Sequence, residues 1–216
     1  MNLSGQPEAP RDRSVSFLQI QTETGWIRML DRFARWCTPQ PGWRILDAGS
    51  GPGYLAARLA ETGCQAVAVD LDWGGFHQQR LHPDAAAASV SQLPFAARAF
   101  DLIAASNLLF LLADPLPALL ELRRCLANTG QLALLNPSPR MSVVAAAALA
   151  DSRGLGGADR ASLIAYARRA ETGNRWSESE LKHLLADAGL SLLETSRQMG
   201  PGLVTFARAG RGNFSG

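Results

Sequence analysis

Three glycines and two aspartates form the part of this sequence best suited to chemistry. Gly49, Gly51 and Gly53 fall in the run Ile45-Leu46-Asp47-Ala48-Gly49-Ser50-Gly51-Pro52-Gly53, and Asp70 stands 21 positions after Gly49. Glycine tolerates positive φ and, having no Cβ, lets a ligand approach the backbone closely. A carboxylate such as Asp70, at the end of a neighbouring strand, can accept from both hydroxyls of a ribose. Loop and acid together suit an adenosine-containing ligand.

The spacing narrows the choice. A dinucleotide loop reads G-x-G-x-x-G and aims a helix N-terminus at a pyrophosphate. Here the glycines read G-x-G-x-G, and Tyr54 holds the place of the last dinucleotide glycine. Asp47, two residues ahead of the first glycine, would repel a pyrophosphate but suits an ammonium group or an ordered water. S-adenosylmethionine carries an ammonium and a sulfonium against one carboxylate, so an acidic loop fits it better.

The surrounding chain must supply the scaffold. Apolar residues Trp26, Ile27, Leu30, Phe33 and Ala34 recur at helical spacing, which predicts a helix over 21–38, stopped by Pro39-Gln40-Pro41-Gly42. Strands are predicted at Trp43 to Asp47, Gln65 to Val69, Ala87 to Val90, Phe100 to Ala105 and Gln131 to Leu135, the last after a turn at Asn128-Thr129-Gly130. Helices are expected between them at Tyr54 to Leu59, around Gly75 to Leu81, and at Pro115 to Leu126. Such alternation implies right-handed crossovers and a parallel sheet covered on both faces.

The last third breaks the pattern. Arg140 to about Gly173 reads as two helices divided by Gly154-Leu155-Gly156-Gly157, and another helix starts at the serine caps Ser177 and Ser179. Leu190 to Thr195 and Leu203 to Ala207 then suit a hairpin. The expected fold is α/β: a Rossmann-like, doubly wound, mostly parallel seven-stranded sheet with an antiparallel C-terminal hairpin and helices on both faces. One domain is expected over 15–210, with flexible ends at 1–14 and 211–216. The helix 21–38 and the insertion 137–175 should cover the acceptor site.

The sequence resembles class I S-adenosylmethionine-dependent methyltransferases over roughly residues 40 to 207. Leu46 to Gly53 is similar to that family's first motif, and Val67-Ala68-Val69-Asp70 to its second. Leu93-Pro94-Phe95 followed by Phe100-Asp101-Leu102-Ile103 resembles the "LPF…FDLI" passage of the small-molecule branch. Asn128 to Leu132 stands where the family turns into its fifth strand, and Arg175-Trp176-Ser177 with Glu180-Leu181 is similar to its last helix. The resemblance implies methyl transfer by in-line displacement. It places Asp47, Ala48, Gly49, Ser50, Gly51, Gly53, Asp70, Leu71, Ser89, Val90, Ser106 and Asn107 around the donor, with Asp70 on the ribose and Leu71 beside the adenine. Ser89 stands where the family often has an acid facing the adenine amino group, so the charge-assisted part of that contact is missing.

Trp26, Asn136, Arg140 and Tyr166 are candidates for an acceptor pocket, and the many alanines and leucines nearby suggest a small, mostly apolar acceptor. No side chain stands out as a general base. Two alternatives remain open: a methyltransferase-like protein that binds or regulates without catalysis, and an NAD-dependent oxidoreductase. The terminal hairpin argues against the second.

Composition bounds the rest. A net charge of +2 with no basic-aromatic cluster gives no reason to expect a nucleic-acid partner, and Lys182 is the only lysine. Cys37, Cys64 and Cys125 are odd in number and widely spaced, so reduced buried thiols are expected rather than disulfides or a zinc site. His77, His82 and His183 have no metal-ligand spacing and read as structural or solvated. Without a signal-peptide pattern or an apolar run long enough for a bilayer, a cytoplasmic protein with no membrane span is expected.

Overall fold

The computed structural model describes residues 25–71 and 84–212. The predicted helix at 75–81 lies outside them, as do His77, His82 and the first 14 residues.

Helix α1, Trp26–Trp36, leads into strand β1, Arg44–Ala48. Helix α2, Tyr54–Ala60, returns to β2, Gln65–Asp70, and β3 follows at Asp84–Ala87. Next come β4, Phe100–Ser106, a short 3₁₀ turn at Leu109–Leu111, α3, Leu116–Cys125, and β5, Leu126–Pro137. Helices α4, Val143–Ser152, and α5, Gly157–Thr172, form the insertion. Helix α6, Glu178–Asp187, then precedes β6, Leu190–Gln198, and β7, Val204–Arg211. Seven strands make one sheet in the order β3-β2-β1-β4-β5-β7-β6. The first five are parallel, and β7 runs antiparallel to both β5 and β6.

Strand alternation sorts the core into two layers. Ile45, Leu102, Ala104, Ala133, Leu135 and Phe206 face α1, α2, α4 and α5. Leu46, Ile103, Leu132, Leu134, Ala207 and Ala209 face α3 and α6. Phe33 of α1 packs on Phe206 with ring centroids 4.9 Å apart. Because that contact lies near the C-terminal end of β5, α1 carries its N-terminus to the edge where β1 and β4 end.

Helix ends follow local chemistry. Ser177 caps α6 in a reciprocal box with Glu180, satisfying two amides that the helix cannot. Ser142 caps α4 by accepting from the Ala145 amide at 3.1 Å.

Several boundaries differ from the sequence reading. Strand β3 lies three residues earlier, at Asp84–Ala87, and Ser89 to Gln92 form a turn closed by the Gln92 amide on the Ser89 carbonyl at 3.0 Å. The Ser91 amide also donates to Ser89 Oγ at 3.3 Å, so the serine side chain competes with the ladder. Asn128 to Gly130 belong to β5 rather than to a turn before it. The register jumps from Phe100↔Leu126 to Leu102↔Gln131, so the extra residues bulge out of the strand. Finally, Arg211 lies in β7 and not in a tail, because its guanidinium donates to the carbonyls of Arg123 and Leu126.

Candidate active site

The glycine run leaves β1 and enters α2 through backbone that L side chains rarely adopt, with φ of +68° at Gly49, +52° at Gly51 and +85° at Gly53. Its amides are largely consumed by the protein. Those of Gly49 and Ser50 donate to the Val69 carbonyl at 2.8 and 3.0 Å, and that of Gly53 to the Ser50 carbonyl at 3.0 Å. The Gly51 amide donates to Asp70 Oδ2 at 2.7 Å. A pyrophosphate cradle needs such amides turned toward the ligand. This loop instead spends four of them on its own shape.

Asp47 is fully buried at the C-terminal end of β1. Its Oδ2 accepts from the Ala56 amide at 3.0 Å, in the first turn of α2. Its Oδ1 is buried and has no hydrogen-bond partner among the described residues. Burial pushes its pKa up to about 7; the Ala56 amide opposes the shift and the nearby charge of Asp70 adds to it. The two oxygens of Asp47 differ: one caps a helix amide. The second is an orphaned acceptor of the kind an ammonium or a water satisfies, which fits the methyl donor.

This predicts a pH dependence. A carboxyl whose folded pKa is raised binds more protons folded than unfolded between about pH 4 and pH 7, so stability falls as pH rises through that window. Thermal melts should show that decline, and Asp47→Asn, which keeps an oxygen for Ala56, should reduce it. An unchanged slope in the variant would mean that Asp47 is not the group responsible.

The space above Gly49 is filled from the protein side. A Cβ built there would lie 2.7 Å from Leu108 Cδ1, so the close approach belongs to Leu108, which sequence reasoning passed over. Leu71 is exposed at the end of β2. Ser89 and Val90 follow β3 beside it, with Ser89 Oγ 2.9 Å from Ser91 Oγ and Val90 turned into the core. The Ala88 amide donates to the Asp70 carbonyl at 3.1 Å, which holds this segment against the end of β2.

Ser106 ends β4 and Asn107 follows it with φ +56°, a conformation asparagine accepts more readily than most residues. The Asn107 amide donates to the Leu135 carbonyl at 2.7 Å, and its Oδ1 accepts from the Tyr166 hydroxyl at 2.7 Å. Tyr166 packs edge-on against Trp26, with centroids 4.5 Å apart, and against Phe110 at 5.7 Å. Trp26 from α1, Tyr166 from α5 and Asn107 just after β4 thus meet at one place.

The other two acceptor candidates do not join them. Asn136 shares the α3 and α6 face with Leu132 and Leu134, and its Oδ1 is buried without a partner among the described residues. Arg140 Nη1 donates to the Pro201 carbonyl at 2.9 Å, in the turn between β6 and β7. Its side chain is drawn away because that carbonyl offers a partner within reach.

The "LPF" passage has a structural role that one dimension hides. Glu121 Oε1 accepts from the Leu93 amide at 2.8 Å, while Arg124 Nη2 donates to the Leu93 and Phe95 carbonyls. Hydrogen bonding to Arg124 lowers the Glu121 pKa. The Glu-x-x-Arg spacing on α3 was a visible signal, since residues three apart share a helix face.

Comparison with known proteins accords with this arrangement. The chain matches a family described as a methyltransferase domain over residues 18–195. A demethylmenaquinone methyltransferase of Renibacterium salmoninarum is 28% identical over 178 residues, covering 78% of this chain and 75% of that protein. A tRNA U34 carboxymethyltransferase of Pseudomonas savastanoi is 33% identical over 102 residues, but these span 43% of this chain and 32% of the relative. The fold is similar to that of Burkholderia thailandensis 1,6-didemethyltoxoflavin-N1-methyltransferase, solved with its acceptor and S-adenosylhomocysteine. That match has a TM-score of 0.64 at 20% identity and covers 91% of this chain and 82% of the other. Loop, strand order and family match agree: the chain belongs to the class I S-adenosylmethionine-dependent methyltransferases.

Proposed function

We propose that this methyltransferase methylates a small, mostly apolar acceptor held between α1 and the segment that follows β5. The observation that carries this reading is the meeting of Trp26, Tyr166 and Asn107 beside the end of β4. It sets an apolar wall next to the strand ends that frame the glycine loop. Two relatives whose names specify demethylmenaquinone and 1,6-didemethyltoxoflavin support a small-molecule acceptor.

When bound, S-adenosylmethionine supplies an electrophilic methyl on a sulfonium. Asp47 Oδ1, Asp70 and the residues after β4 are the groups that would hold it. The protein's contribution to a direct displacement is alignment, which can supply about 7–11 kcal/mol of a barrier. Tyr166 orients Asn107 and walls the acceptor; burial raises its pKa well above the usual tyrosine value, so it keeps its proton and is a poor base. Rigid aromatic walls also keep water from the reacting centre.

Turnover in a pool of metabolites tests the assignment. Wild type should convert S-adenosylmethionine to S-adenosylhomocysteine, and Gly51→Val should not, because valine is strained at φ +52°. Donor binding without any product in that pool would instead favour a non-catalytic binding protein.

A further inference from the structure

A cavity of about 190 Å³ borders Trp26, between α1, α4, α5 and the turn joining β6 to β7. Its walls include Met29, Leu149, Leu163 and Met199. An apolar cavity of about 150 Å³ takes a benzene ring, so this one has room for a ring with a short substituent. Its rim is different in kind. Arg28 and Arg32 stand one helical turn apart on α1, and Arg153 caps the C-terminal end of α4. Among the described residues none of the three is ion-paired. The one acid in the lining, Asp159, is engaged at the start of α1, where its Oδ1 accepts from the Gly25 amide at 2.6 Å.

Like charges at i and i+4 repel, and a third arginine from another element adds to the repulsion. Asp159 is the single carboxylate set against these three arginines, so the rim keeps an excess of positive charge. Arg32 is moreover held in place: its Nη1 donates to Gln198 Oε1 at 3.2 Å, and Gln198 Nε2 in turn donates to Ser196 Oγ at 2.8 Å. An apolar pocket rimmed by planar, fork-shaped cations matches a ligand with an apolar body and a carboxylate or phosphate. Trp26 is common to both places: it lines this cavity and packs against Tyr166, which in turn donates to Asn107.

We propose that this cavity binds the anionic group and adjoining apolar part of the acceptor, so the substrate is an apolar acid or phosphate ester. This rests on the reading of α1 and the insertion as acceptor walls. Calorimetry without donor tests it, using 4-phenylbutanoate, phenyl phosphate, 4-phenylbutanol and 4-phenylbutylamine. Wild type should bind an anionic probe at least tenfold more tightly than the alcohol or the amine. The preferred anion tells carboxylate from phosphate. Arg28→Gln/Arg32→Gln and Arg153→Gln should each lose most of that preference, while Arg168→Gln, which removes an arginine outside the cavity, should keep it. Equal binding of alcohol and acid, or unchanged preference in both rim variants, would overturn the proposal. If the double variant does not fold, the wild-type comparison and Arg153→Gln still decide. A separate titration with S-adenosylhomocysteine keeps the donor reading distinct: its failure beside intact anion preference would sink the donor reading and leave the pocket.

Discussion

Asp70→Ala is expected to weaken S-adenosylhomocysteine binding by roughly ten- to a hundredfold, the range spanned by losing one or two hydrogen bonds to a charged group. Two effects combine. The ribose loses a charged acceptor, and the Gly51 amide, which now donates to Asp70 Oδ2 at 2.7 Å, loses the partner that draws the loop toward β2. Calorimetry measures the loss. Asp70→Asn separates the two effects, since its amide oxygen can still accept from Gly51 although the charge is gone. It should therefore fall between wild type and alanine. A loss smaller than threefold in the alanine variant would remove Asp70 from the donor site. Melting curves recorded alongside guard against reading a folding defect as a binding one.

Gly49→Ala has the second large effect, and it acts on stability first. The new Cβ would meet Leu108 Cδ1 at 2.7 Å, and the residue would keep φ +68°. Left-handed backbone costs a non-glycine residue roughly 1–2 kcal/mol, and overpacking typically adds about 1–3 kcal/mol. Leu108 has little freedom to withdraw its backbone, because Leu109 and Phe110 immediately after it are buried. Urea unfolding should therefore show a loss of about 2–5 kcal/mol, the sum of those ranges. Adding Leu108→Ala removes the clash and leaves the backbone term, so the double variant should be less unstable than the two single losses added together. Simple additivity would mean that Gly49 and Leu108 do not meet.

Much of the architecture is legible in one dimension because strands buried on both faces are continuous apolar runs, as in Leu102 to Ala105. The helices between them repeat at 3.6 residues. Strand β3 escapes this rule. Asp84-Ala85-Ala86-Ala87 has no β-branched or aromatic residue, and it is a strand only because β2 offers an edge to pair with. The start of β5 was hidden for the opposite reason, since Asn128-Thr129-Gly130 has turn chemistry but is pulled into the strand as a bulge.

Within the site, the glycine turn and the placing of Asp70 beside it were readable because both depend on spacing along two adjacent strands. The burial of Asp47 was not, because a cap on the Ala56 amide is visible only once α2 folds back on β1. Tyr166 and Asn107 were singled out separately, yet their hydrogen bond joins residues 59 positions apart. Arg28, Arg32 and Arg153 carry no motif that sets them apart in the sequence. Their convergence on one cavity requires α1 and α4 to be placed side by side.

The self-contained hydrogen bonding of the Gly49–Gly53 loop has an entropic consequence. Its left-handed backbone is fixed by partners in β2 and in the loop itself, so the conformational freedom of these residues is surrendered when the chain folds and not when a ligand arrives. Binding then need not order this stretch, and more of the contact energy is available as affinity. The same economy sets a limit on variation: a substitution that loosens the loop would move that ordering from folding to binding, and would weaken the donor complex without touching any atom that contacts the donor.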